Sequence, residues 1–381
     1  MDSDSTPTSN PAIRWGVSAV VLFALSLALY FGRSLFIPTV VALLLSCMLW
    51  PVVGWLARGG VPWALAATVI VGLVAILLVA LVYAGSRTLP GIVEALPTTP
   101  ERQQETYSDF RKRIERLIPW AIDENFLPEK ADDSQLVKYL RTTVDPKNPQ
   151  LIDNTLLGVG AVKNWVIDTT LILFILFFFL LEGRLLTSRL VDVISSEGDA
   201  RAEAITALAD IANQVRSFLI WRTIINVGAA AIFGVIYQLC GLSHPWAWAL
   251  LTIILLYVPY IGTFLASIPP LLDAFLTVDS PWVTVGLLVF YVAFVTVEGY
   301  IIVPLVMGRS MDLNATTVLL TTVYWHLVWG TAGLFLSMPL MAIIKAVCAH
   351  VPGWKPWARL METEESPPKG IVNETPGNQG Q

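Results

Sequence analysis

Charge is what this chain has least of. Its 24 Lys and Arg and 29 Asp and Glu make up 14% of 381 residues, against about 25% in soluble domains. That scarcity excludes an ordinary water-soluble globular protein. The net charge of −5 is spread over flanks and loops without a basic block, so no nucleic-acid partner is implied. The three cysteines, Cys47, Cys240 and Cys348, lack the paired spacings of zinc sites or disulfide frameworks. His244, His326 and His350 are too scattered for a metal centre. There is no phosphate-binding glycine loop, no H-E-x-x-H and no nucleophile elbow. The chain is therefore expected to be neither an enzyme nor an ATP-driven pump, and to need no cofactor or metal.

What fills the sequence is apolar: 55% hydrophobic residues and a mean hydropathy of +0.66. A helix needs about 20 apolar residues to cross a hydrocarbon core of roughly 30 Å. Such runs lie near 15–31, 35–56, 62–84, 165–181, 218–239 and 282–303, and two longer ones, 244–276 and 313–350, are interrupted by Gly or Pro. The fold expected is an all-α polytopic membrane protein with about eight transmembrane segments and the lipid bilayer as its surroundings. The first run has no small-residue cleavage site after it and is expected to be a retained span. Disordered cytoplasmic tails are expected at 1–13 and 351–381, three spans at 14–85 and a transport region at 165–350. Residues 86–164 carry mixed charge and seven prolines, and read as a small extramembrane helical domain. Within it Tyr107, Phe110, Ile114, Leu117 and Ile118 recur at helical spacing among Arg111, Lys112, Arg113 and Arg116. A second apolar stripe, Ile205, Leu208, Ile211, Ala212, Val215, Phe218 and Leu219, points to a cytoplasmic amphipathic helix over 201–217 that either lies on the membrane or packs on its neighbours.

Arg14, Arg58, Arg184, Arg189, Lys355 and Arg359 at span ends agree with both termini inside and 86–164 outside. The connectors near Ser243 and 278–280 lack Lys and Arg, which makes 244–276 a re-entrant hairpin; eight simple spans are the competing reading. The first arm, 245–258, would rise only about 20 Å as a helix.

Between Tyr257 and Asp273 the chain reads Y-V-P-Y-I-G-T-F-L-A-S-I-P-P-L-L-D, with Pro259, Gly262, Pro269 and Pro270 all at membrane depth. Broken helices there are tolerated where the freed backbone is buried in protein or lines a water-filled cavity, and in transporters they hold solutes or ions. A second interruption runs from Gly330 to Pro339. On the span between the two sits Glu298, one turn before Pro304. A carboxylate there either exchanges protons or cations or forms a structural ion pair with Arg309 or another basic residue. Asp273 faces the same cavity or marks the water interface, the latter being favoured. Arg222 and Asn226 share a helix face, with Arg222 expected to snorkel outward.

Three segments then carry a resemblance. V-P-Y-I-G-T-F-L-A-S-I-P-P from Val258, V-E-G-Y-I-I-V-P-L-V-M-G-R-S from Val297, and L-N-A-T-T-V-L-L from Leu313 with W-G-T-A-G-L-F-L-S-M-P-L from Trp329 resemble, in order, elements of the autoinducer-2 exporter family, or PerM-type permeases. The chain departs from it at Thr263 and Ala315, where relatives often have proline, so a less kinked final segment is expected. The resemblance implies a secondary transporter or exporter of a small polar solute such as an autoinducer-2-like signal, or a cation or proton exchanger, working as a homo-oligomer. It adds Gly308, Arg309 and Asn314 to the expected pathway residues. The alternative is a non-transporting membrane scaffold or regulator acting through 86–164.

Overall fold

The computed structural model describes residues 11–95, 100–117, 128, 159–194, 198–307 and 313–362. No strand occurs among them, and six helices are long and apolar enough to cross a membrane. The protein is a polytopic all-α membrane protein.

Four helices form the first half: α1 (Pro11–Phe31), α2 (Arg33–Arg58), α3 (Trp63–Ala95) and α4 (Pro100–Leu117). Helix α3 continues past residue 86, and α4 bears out the amphipathic periodicity expected there, burying Tyr107, whose hydroxyl donates to the Pro128 carbonyl at 2.8 Å. Ile118 lies outside the described residues. Helices α2 and α3 pack with α5 (Val159–Ile194) through Ala42, Val53, Ala66, Ala67, Leu176 and Leu180. Small residues at such contacts let backbones approach where lipid supplies no hydrophobic drive.

Helix α6 (Gly198–Leu239) is 42 residues long, about 63 Å and twice the hydrocarbon thickness. The stripe expected as a separate helix at 201–217 is its first half. No Gly or Pro lies between Asp199 and Val227, so nothing stops the helix where the polar region meets the apolar one.

After α6 come α7 (Pro245–Leu255), α8 (Ile261–Thr277) and α9 (Pro281–Val297). At 11 residues α7 rises only about 16 Å. Both arms of the 244–276 stretch start and finish together: the Asp273 carboxylate accepts from the Trp248 indole N–H at 2.6 Å and the His244 backbone N–H at 3.3 Å. The stretch is thus an antiparallel hairpin with its break at 256–260. Pro269 and Pro270 do not interrupt it; α8 runs through both. Each lacks an N–H and frees a carbonyl four residues back, yet the helix resumes on either side. Helix α4 reaches this base too, Arg113 donating to the Val278 carbonyl.

Helix α9 passes into a π-helical turn, Glu298–Ile302, then α10 (Val303–Met307), which contains Pro304. Two antiparallel helices follow, α11 (Ala315–Trp329) and α12 (Thr331–His350), joined at Gly330, whose φ of 61° and ψ of −139° suit glycine alone. Pro339 lies inside α12 without breaking it. Ala315 is the first residue of α11, a position that accepts proline without a kink. Finally, the tail expected from residue 351 begins with ordered chain, a 3₁₀ turn at Pro352–Trp354 and α13 (Lys355–Leu360). Asn314 explains why. It caps α11 by accepting from Thr317 N–H, while its amide donates to the Leu360 carbonyl and its backbone N–H to Met361, each at 2.8 Å.

Candidate functional site

One face of α6 meets the tip of the α7–α8 hairpin. Arg222, Thr223 and Asn226 project from α6 within one turn of each other, and each contacts the hairpin arm or tip. Arg222 donates from Nη1 to Glu298 Oε1 at 2.8 Å and from Nη2 to the Leu256 carbonyl. The hydroxyls of Thr223 and Tyr257 lie 2.6 Å apart. Asn226 is fully buried and directs Nδ2 at the Ile253 carbonyl, 3.4 Å away.

These contacts follow from the break itself. Leaving the helix at 256–260 deprives carbonyls of their usual donors, and each must find another inside the protein. The Val258, Pro259 and Tyr260 carbonyls accept from the N–H groups of Gly262, Ile261 and Phe264. The Leu256 carbonyl is met by Arg222. Tyr260 holds φ at +57° and ψ at −62°, the only positive φ on a non-glycine residue among the described ones, at the centre of a γ-turn closed by the Ile261 N–H on the Pro259 carbonyl, a strained conformation that costs about 1–3 kcal/mol. Gly262 is buried where a Cβ would fall on the Leu255 carbonyl oxygen. The turn therefore demands a glycine at that place.

The ion pair is enclosed: the side chains of Arg222 and Glu298 are 16% and 6% exposed. Arg222 was expected to snorkel to water. Instead a carboxylate and a carbonyl inside the protein hold it, because charge-assisted bonds gain strength where water is excluded. Glu298 opens the π turn. Seven residues, or two turns, beyond the buried Tyr291, Glu298 continues the inward face of α9, so it is buried while its neighbours Val297, Gly299 and Tyr300 are exposed. One turn further along each helix, Phe218 packs with Ile302, Val303, Val306 and Met338, which closes the cluster on that side.

The cluster is balanced in charge but not in hydrogen bonds. Asn226 Oδ1 is buried and has no partner among the described residues. Its orientation is fixed chemically: the Ile253 carbonyl only accepts, so the amide nitrogen faces it and the oxygen faces away. An uncompensated buried acceptor costs about 1–3 kcal/mol.

Of the residues expected on a pathway, Glu298, Pro259, Gly262 and Asn226 come together here. Asp273 does not join them; it is buried at the hairpin base, some 18 Å along α8 from the tip at 1.5 Å per residue. Gly330 sits at the far apex of α11–α12, next to Trp329, whose indole donates to the Leu29 carbonyl at 3.0 Å. Pro339 and Asn314 serve α12 and the α11 cap. Pro269 and Pro270 lie within the second hairpin arm and Pro304 within α10. Gly308 and Arg309 fall outside the described residues. Thr223 and Tyr257 were not foreseen; the sequence signal available for Tyr257 was its place at the start of the broken run.

Comparison with known proteins agrees with this architecture. The model of the family described as AI-2E family transporter matches residues 19–353. The AI-2 transport protein TqsA of Escherichia coli (strain K12) is 25% identical over 332 residues, covering 87% of this chain and 90% of that protein. A protein of Haemophilus influenzae classed with transport proteins is 22% identical over 347 residues, covering 91% and 94%. MT0215 of Mycobacterium tuberculosis, classed likewise, is 26% identical over 375 residues, covering 94% and 95%.

Proposed function

Since the chain belongs to the AI-2E transporter family, we propose that it carries a small neutral polar solute across the bacterial inner membrane by alternating access, with the Arg222–Glu298–hairpin-tip cluster as its binding site. The observation that carries this reading is the unpartnered Asn226 Oδ1 beside a satisfied ion pair. Glu298 already has its counter-ion, so a sodium ion or proton meets no free carboxylate. Arg222 is likewise occupied, so an anion gains little. What the cluster lacks is a hydrogen-bond donor, and a hydroxyl group supplies one without adding charge. That chemistry suits a hydroxylated signal of the autoinducer-2 kind better than a cation exchanger.

Opening the hairpin would expose the cluster to one side and closing it would seal the site, as broken helices do in other transporters. Arg58, Arg184 and Arg189 together with Lys355 and Arg359 support the orientation with both termini cytoplasmic. The structure ties the C-terminal end to the first half of α6 through His350 and Asp210, 3.6 Å apart, which is in keeping with one common side. A homo-oligomer and an outside position for 86–164 complete the proposed arrangement.

The test is flux into liposomes carrying the purified protein, with radiolabelled glycerol, ribose and myo-inositol beside sodium and a proton-sensing dye. At least one hydroxylated probe should cross, and Asn226→Leu should slow it about tenfold, one lost hydrogen bond's worth, with an unchanged melting profile. Flux confined to sodium or protons would sink the reading.

A further inference from the structure

We infer that the turn between α2 and α3 is a binding site for the phosphodiester headgroup of an anionic phospholipid. The turn borders an open surface hollow of about 540 Å³ lined by Trp55, Leu56, Arg58, Gly59 and Val61. Trp55 is 68% exposed and Arg58 points to the surface. Beside the turn, Trp63 packs at a tilt against Trp50 with ring centroids 5.1 Å apart and donates from its indole N–H to the Leu180 carbonyl at 2.8 Å. Arg184, from α5, places its guanidinium 4.7 Å over the Trp63 ring. Three helices thus bring two arginines and a tryptophan block to one end of their spans.

No carboxylate among the described residues lies within ion-pair distance of Arg58, Arg184 or Arg189; of the acids near them in sequence, Glu182 makes no ion pair among the described residues and Asp192 pairs with Arg201. The backbone offers an anion nothing, because the N–H groups of Gly59, Gly60 and Val61 are spent on carbonyls of α2. The recognition falls to the two guanidiniums, which bind phosphate oxygens in a planar fork and stack on rings at the same time. Arg184 already has the stacked half of that arrangement.

Position selects the source of the phosphate. The apolar span of α3 begins at Trp63, so the hollow lies where hydrocarbon meets water, the level at which tryptophan anchors and lipid phosphates sit. Leu65, Val69, Leu73 and Leu77 then form an exposed i, i+4 stripe down α3, a track for an acyl chain hanging from that phosphate. A soluble phosphate ester has the charge but no use for the stripe. Clusters of basic side chains at this level attract anionic lipid by about 1 kcal/mol per residue.

The test uses the full chain in phosphatidylcholine nanodiscs containing a minority of phosphatidylglycerol, with bound lipid read by native mass spectrometry after extraction. The native protein should retain phosphatidylglycerol over phosphatidylcholine, and Arg58→Gln with Arg184→Gln should weaken that preference by roughly tenfold to thirtyfold. Arg58→Lys with Arg184→Lys should keep part of it, and Arg33→Gln, at the opposite end of α2, should keep all of it. Undiminished preference in the double glutamine variant would overturn the assignment, as would displacement of the lipid by soluble glycerol 3-phosphate. Unchanged melting of the glutamine variant in phosphatidylcholine alone shows that a lost preference is not a lost fold. Liposome flux reports on the Asn226 cluster independently, so either result stands without the other.

Discussion

Replacing Glu298 by alanine should destabilise the protein more than removing both members of its ion pair. In the native state Arg222 has two acceptors, Glu298 Oε1 at 2.8 Å and the Leu256 carbonyl, and only 16% of its side chain reaches the surface. Glu298→Ala takes the only counter-charge among the described residues and leaves a guanidinium enclosed. Breaking a buried pair in this way costs about 3–5 kcal/mol, and the retained Leu256 contact puts the expectation at the lower end, about 3 kcal/mol. Combining Arg222→Met with Glu298→Leu removes both charges and fills similar volume, a change that is often neutral or stabilising. The Leu256 carbonyl is then unpartnered, a penalty of about 1–3 kcal/mol, so the double variant should lie within about 2 kcal/mol of native. The assay is denaturant-induced unfolding of purified protein in lipid nanodiscs, followed by Trp fluorescence. A Glu298→Ala variant as stable as native, or a double variant weaker than the single, would refute the reasoning. Flux supplies the second reading: the stable double variant should still fail to transport, because the latch between α6, the π turn and the hairpin has gone.

Two further perturbations address the hairpin itself. Gly262→Ala directs a methyl group into the Leu255 carbonyl, so it should lower folded yield sharply, whereas Gly72→Ala, with open space around it, should leave size-exclusion profiles unchanged. Asp273→Ala withdraws the acceptor from Trp248 and His244 and should cost about 2–3 kcal/mol of unfolding free energy; hydrogen exchange should rise first in α7.

How much of this was legible beforehand depends on what each feature is made of. The all-α membrane architecture follows from run length and scarce charge, and the hairpin reading of 244–276 from an α7 too short to cross and connectors without Lys or Arg. Glu298 stood out because a carboxylate in an apolar span needs a reason. Its partner was misjudged. A linear sequence shows that Arg222 sits near the start of an apolar run, but not that a carboxylate 76 residues later on another helix packs against it. The breakers divide in a related way: Pro269, Pro270 and Pro339 read as breaks, yet the helices carry them, while Pro259 and Gly330, read as breaks too, sit at the real discontinuities. Asn314 looked like a pathway residue and is a cap, because the chain it holds, 360–362, is distant in sequence.

The shortness of α7 also bears on how the protein enters the bilayer. A helix of 11 residues, about 16 Å long, offers the insertion machinery too little apolar length to be accepted as a span. It also presents at its far end carbonyls whose donors, Arg222 and Asn226, sit on the preceding helix. Its near end is capped only once Asp273 of α8 has been synthesised. The two arms are therefore expected to enter as one unit, against an α6 already in place, with the hairpin committed to the membrane only once Asp273 of α8 has left the ribosome.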